Sequence, residues 1–227
     1  MLLDVIRGNA SIPEVIAAIF SALIVIFLTL PVHEFAHGFI ADKLGDPTPR
    51  WQGRLTLNPL AHIDPIGSLG IILFGIGWAK PVSVNARYFK NPKMGMAITA
   101  LAGPVSNIIM ALLSLLLMNI ILVIGAKVGL TVSAYLLVSF FFGQIALINV
   151  YLAVFNFIPI PPFDGSRVLF AFLPTKYYFA VMRYERFIFI GLLVILYLGV
   201  LDYPISFVSN FILNGLYSVA ALPFSLI

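Results

Sequence analysis

The sequence predicts an all-α polytopic membrane protein with about five transmembrane helices, and three observations carry that reading. The 227 residues are 61% hydrophobic and only 10% charged, whereas a soluble domain runs near half apolar and a quarter charged. The apolar residues gather into long runs, at about 13–41, 95–125, 132–158, 183–201 and 204–222, most of them near the ~20 residues that one crossing needs. The basic residues gather between those runs. One membrane domain, 1–227, accounts for the whole length.

The first span has its own start signal. Ser11 with Glu14 three residues on reads as a capping box, with Pro13 in the first turn. No basic region precedes this run and no small-residue cleavage site follows it, so it is not expected to be a cleaved signal peptide. The second span contains Pro104, and Pro31 in the first is expected to kink the helix. The third runs into Pro159, Pro161 and Pro162, which break it and force an extended path. The fourth has a short apolar core, Phe187–Val200, whose flanking Arg183 and Arg186 are placed to snorkel.

The connection at 42–94 is not simply polar. It contains "IGSLGIILFGIGWAKPVSVNARYF" (66–89), in which Ser68–Trp78 is apolar and Gly-rich but too short to cross. A re-entrant or interfacial β-hairpin-like loop is expected here. Within it, "PVSVNARY" (81–88) alternates Val82 and Val84 as a short strand would. The loop is too short to add an inserted PDZ domain, and no regulatory domain is expected after the last span.

Charge sets the expected orientation. Lys43, Arg50, Arg54, Lys80, Arg87, Lys90 and Lys93 lie in 42–94, and Arg167, Lys176, Arg183 and Arg186 in 159–186, which is eleven of the thirteen basic residues. Only Arg7 and Lys127 fall elsewhere. By the positive-inside rule both loops are cytoplasmic and the N-terminus is outside, in a multi-pass protein of the cell membrane. The net charge of +4 is then a record of topology, and no nucleic-acid partner is expected. The chain has no cysteine, so disulfides, thiolate ligands and a Cys nucleophile are excluded and any metal site must use His and carboxylate groups.

One such site is written at the end of the first span. "HEFAH", residues 33–37, is an HExxH pattern in a chain with three histidines in all. On a helix, His33 and His37 share a face and can hold one Zn²⁺, while Glu34 is turned away from the pair as a base. His33 lies nine residues before Asp42, on the order of 13 Å of helix below the polar boundary. Ionisable groups at that depth are costly and point to function. A catalytic zinc takes a third protein ligand. His62, Asp64 and Asp164 are candidates, and Asp202 is excluded because five spans put it on the opposite side. Asp164-Gly165 follows the proline break and turns back toward the membrane, although Asp164 also reads as an N-cap. His62 and Asp64 read more simply as turn residues beside Pro59 and Pro65. Asn107 and Asn149 read as interhelical hydrogen-bonding groups. Asn156, on one face with Asn149 and leading into the Asp164 turn, reads as functional.

With these residues in view, HExxH in an early span, "LTLNPLAHIDPIGSLG" (55–70), "GWAKPVSVN" (77–85), "LAGPVSN" (101–107) and "NFIPIPPFDGSRVL" (156–169) resemble the site-2 protease family of intramembrane zinc metalloproteases. The resemblance covers about 25–175. It implies one Zn²⁺ per chain on His33, His37 and Asp164, with Glu34 as general base and Asn156, eight residues before the Asp, as a functional amide. Phe163 and Ser166 stand where the family commonly has Leu and Gly, and neither is a ligand position.

The activity so implied is hydrolysis of a peptide bond within or next to a transmembrane segment of a membrane-protein substrate. The partners are that substrate and the lipid bilayer, with room for an unidentified regulatory partner. A helical peptide bond is shielded by its own turn, so the substrate must present an extended stretch, and Val82 and Val84 are the expected edge for it to pair with. A metal or proton transporter and an inactive helix-binding scaffold are the rival classes.

Overall fold

The computed structural model describes residues 10–74, 77–174, 181 and 183–224. Arg7, Lys176 and the side chain of Arg186, used above for topology, lie outside the described residues. Among the described residues four helical stretches are long and apolar enough to cross a membrane: Ile12–Lys43, Pro92–Val128, Val132–Asn156 and Asp202–Phe224.

The first stretch is three pieces. Helix α1 (Ile12–Ile24) starts where predicted, with the Ser11 N–H and hydroxyl both donating to Glu14 at 2.8 Å. A π-turn follows (Val25–Thr29), in which the Leu30 N–H reaches back five residues to the Val25 carbonyl. Helix α2 (Leu30–Lys43) carries the HExxH pattern. Pro31 has no N–H to give the Phe27 carbonyl, which loosens the turn just ahead of it. The extra residue of a π-turn rotates everything after it by about a quarter turn. So α1 and the π-turn bury Ala22, Val25 and Ile26 against Ile145, Ile148 and Leu152 of a later helix, while α2 turns its histidines toward a different neighbour. The expected irregularity exists, and it sits in the residues before Pro31.

After a single turn, α3 (Thr48–Trp51), helix α4 covers Pro65–Phe74. Asp64 opens it by accepting the Ile66 and Gly67 N–H groups at 3.0 and 2.9 Å, which bears out its turn role. The chain then doubles back: a Cβ on Gly67 would meet the Trp78 carbonyl oxygen. The expected β-hairpin-like loop is therefore a helix with a return, and no strand is formed among the described residues. The reason lies in the bonding of 80–85, whose backbone groups go to scattered side chains and one carbonyl and not to a partner strand.

Helix α5 (Pro92–Val128) is capped by Asn91, which accepts the Met94 N–H, and ends at Gly129 with φ 76°. Helix α6 (Val132–Asn156) is capped by Thr131. Polar side chains tie the bundle together, as is common where lipid supplies no hydrophobic drive between helices: Ser21 and Ser114 donate to the Phe141 and Phe142 carbonyls at 3.0 and 2.9 Å. Helix α7 (Asp164–Phe172) follows the proline turn, α8 covers Glu185–Tyr197, and α9 covers Asp202–Ala221.

The region 183–201, expected to be a span, contains a shorter helix. Helix α8 has 13 residues, about 20 Å of helix against a hydrocarbon layer of about 30 Å. Beyond it, Asp202 and Tyr203 line a cavity with Tyr151, Leu152 and Phe155, at the Asn156 end of α6. Asn119 on α5 donates to the Ala220 carbonyl at the far end of α9. So α9 runs antiparallel to α6, with Asp202 at the Asn156 end. The exclusion of Asp202 by side is thereby corrected, although it does not join the metal-ligating cluster.

Candidate metal centre

The site is built where α2 crosses α5. His33 and His37 are 5% and 8% exposed and one turn apart on α2. On α5, Thr99, Gly103 and Asn107 are spaced by four and so form one stripe. His37 Nδ1 lies 2.8 Å from the Thr99 carbonyl and His33 Nδ1 lies 3.3 Å from Asn107 Oδ1. Both partners are acceptors, so each imidazole carries its proton on Nδ1 and presents a lone pair at Nε2.

Gly103 sits between them. A Cβ there would be 2.4 Å from His37 Nε2 and 2.6 Å from His33 Nε2. The glycine thus provides the space into which both nitrogens point.

The third group comes from α7. Phe163 occupies its N-cap and Asp164 its first turn, so the carboxylate of Asp164 is not spent as a cap. Its Oδ2 lies 3.4 Å from His33 Nε2 and 3.2 Å from His37 Nε2, and the two Nε2 atoms are 3.1 Å apart. That oxygen is buried and has no hydrogen-bond partner.

Three lone-pair donors facing one point with no proton between them repel unless a cation sits there. A tetrahedral zinc bound at ~2.0–2.1 Å spaces its ligands by ~3.3–3.4 Å, and the three observed edges match that within 0.3 Å. The residues fit the metal. Among the described residues this is the one group of His, Asp and Glu that meets such spacing.

Glu34 is buried and turned aside from the pair. Its Oε2 accepts the Val82 N–H at 2.9 Å, which brings the expected base against the expected substrate edge. Asn156, the last residue of α6, donates to the Leu152 carbonyl at 3.0 Å and has no hydrogen bond to the cluster. His62 is buried, with Nε2 2.9 Å from the Thr56 carbonyl, in keeping with a turn role. Sequence reasoning missed Thr99 and Gly103, and it assigned Asn107 a helix partner without seeing that the partner is a ligand. The signal was there in the four-residue spacing 99, 103, 107.

The chain matches the model of peptidase family M50 over residues 117–198, a region that includes Asp164. It is 37% identical over 173 residues to a Bacillus subtilis protein named "Putative zinc metalloprotease YwhC", which is 76% of this chain and 78% of that one. It is 29% identical over 197 residues to Mycobacterium tuberculosis H37Rv "Putative zinc metalloprotease Rip2", 84% of this chain and 72% of the relative. It is 26% identical over 154 residues to Methanocaldococcus jannaschii "Zinc metalloprotease MJ0392", 68% of this chain and 34% of the relative. No solved structure matches. The family match over the Asp164 region and the likeness to YwhC across most of both chains place this protein in peptidase family M50, the site-2 protease family.

Proposed function

We propose that the protein is an intramembrane zinc metalloprotease that cleaves membrane-protein substrates within or next to a transmembrane segment. The observation that supports this best is the convergence of His33 Nε2, His37 Nε2 and Asp164 Oδ2 on one point, with Glu34 one residue from the first ligand. These three residues would hold one Zn²⁺, which when bound polarises a carbonyl and brings the pKa of water toward ~7. Glu34 takes the proton of the attacking water and returns it to the leaving amine. Asn156 is assigned to the oxyanion. Its amide is turned back onto Leu152, so this role requires it to swing toward the scissile carbonyl. The substrate pairs in extended form along 81–88, using Val82 and Val84, and both basic loops face the cytoplasm.

The test is co-expression with a panel of single-span membrane proteins, comparing wild type with Glu34→Gln on a gel. A protease cleaves at least one of them, and Glu34→Gln abolishes that cleavage while keeping one zinc per chain. Equal product in both lanes would reject the reading. Zinc flux into sealed vesicles would favour a transporter instead.

A further inference from the structure

This inference rests on Glu34 being the general base. Residues 80–85 cross α2 as an extended segment with no strand beside it among the described residues, and single bonds hold it. The Lys80 N–H donates to the His62 carbonyl at 2.7 Å. The Arg54 guanidinium donates to the Pro81 carbonyl at 3.2 Å. The Val82 N–H donates to Glu34 at 2.9 Å, and the Asn85 N–H to Asp46 Oδ2 at 2.7 Å.

Asp46 is 0% exposed and sits just past the end of α2, where its own N–H donates to the Ala41 carbonyl. Its second oxygen accepts the Thr48 N–H at 3.0 Å. A buried carboxylate is costly unless its oxygens are used, and here both are used to hold backbone. Gly38, one turn on from Glu34, allows the close crossing: a Cβ there would be 3.4 Å from Val82 Cγ1 and 3.0 Å from Leu55 Cδ2.

We propose that 80–85 is a strap that orients the base, and that Asp46 is a positioning residue for catalysis, holding Asn85 and through it the Val82 N–H on Glu34. A glutamate side chain has three free torsions. A charge-assisted bond to one oxygen removes most of that freedom and leaves Oε1 for the water. Misplacing a reacting group by ~1 Å costs ~10²-fold in rate. Asp46→Asn puts an NH₂ where one backbone donor must be accepted, so one of the two bonds is lost. Val82→Pro removes the N–H outright, and Val82→Ala keeps it.

The experiment uses the full chain in detergent with a single-span protein that wild type cleaves and Glu34→Gln does not. Bound zinc is counted by atomic absorption. Asp46→Asn and Val82→Pro should keep one zinc per chain and lower kcat by ~10-fold to 10²-fold, with KM within about twofold for Asp46→Asn. Val82→Ala should keep kcat, with its effect confined to KM through the substrate edge. Wild-type kcat in Asp46→Asn, or a rise in KM alone, would overturn the proposal. Loss of zinc together with activity would also overturn it, by assigning the strap to the ligands and not to the base. If no panel member separates wild type from Glu34→Gln, the functional reading has failed before the strap is reached.

Discussion

The ligand cradle and the strap lie on neighbouring faces of α2, about 100° apart, and are built differently. The cradle is set by helix registers: residues one turn apart on α2 meet residues one turn apart on α5, and Asp164 enters on the first turn of α7. The strap is set by separate bonds, with Glu34, Asp46, Arg54 and His62 each holding one backbone group. A register cannot shift by a fraction of a turn without unpacking a helix. A strap can shift by a few tenths of an ångström when one bond goes. Changes in the cradle should therefore be read in metal content, and changes in the strap in turnover.

The sharpest test of that division is Gly103→Ala. A single methyl at 2.4 Å from His37 Nε2 and 2.5 Å from His33 Cε1 has no flexible chain end to push aside, because both imidazoles are fixed at Nδ1. Zinc affinity should fall by at least ~10²-fold, and cleavage should fall with it. Retention of one tightly bound zinc, measured by dialysis against a chelator, would mean that α2 and α5 can part and that the cradle is not fixed by register.

Next is Asn107→Leu. The side chain is fully buried and its Oδ1 is the acceptor that sets His33 to the Nδ1–H form. Its loss should weaken zinc binding by ~10-fold to 10²-fold, less than Gly103→Ala because His33 keeps its place on the helix. A competition titration against a chelator of known affinity reads this. Unchanged affinity would demote Asn107 to helix packing.

These two residues also show where sequence reading stopped. His33 and His37 were legible because their relation is local, i and i+4 on one helix. Asp164 needed the resemblance, since a proline turn shows that the chain returns but not to which helix. Thr99, Gly103 and Asn107 share a face by spacing alone, yet nothing in the spacing says which helix that face meets. The strap was less legible still. Alternating Val82 and Val84 suggested an edge, and they are half-buried while Ser83 is exposed. But its partners are side chains 25 to 50 residues away, and no periodicity records them. The side on which Asp202 lies was not legible either, because an apolar run reads alike whether it crosses or returns, and no spacing records that Asp202 comes beside Tyr151.

Val84→Pro probes the strap without touching the base. Among the described residues the Val84 N–H has no partner, unlike that of Val82, so the proline removes only a donor that an incoming peptide would use. KM should rise several-fold, with kcat and zinc content close to wild type. Loss of one neutral hydrogen bond contributes ~0.5–1.5 kcal/mol, which is ~2-fold to 12-fold. A fall in kcat would show that the strap has shifted as a body, and it would join Val84 to the base-holding bonds. An unchanged KM would remove Val84 from the substrate edge.

The smallest expected effect is at Lys93, which topology alone had explained. Its Nζ donates to the Leu173 carbonyl at 2.6 Å, and Leu173 is the C-cap of α7. The start of α5 thereby holds the far end of the helix whose first turn carries Asp164. A cation at a helix C-terminus contributes ~0.3–1 kcal/mol, so Lys93→Met should weaken zinc binding by no more than ~5-fold and leave KM alone. The ligand is two turns from the lost contact, and α7 packs on α5 along its length, so the helix has other means of staying in place. A loss as large as that of Asn107→Leu would show that α7 is hung from its two ends, and that the cradle, on this one side, shares the strap's dependence on single bonds.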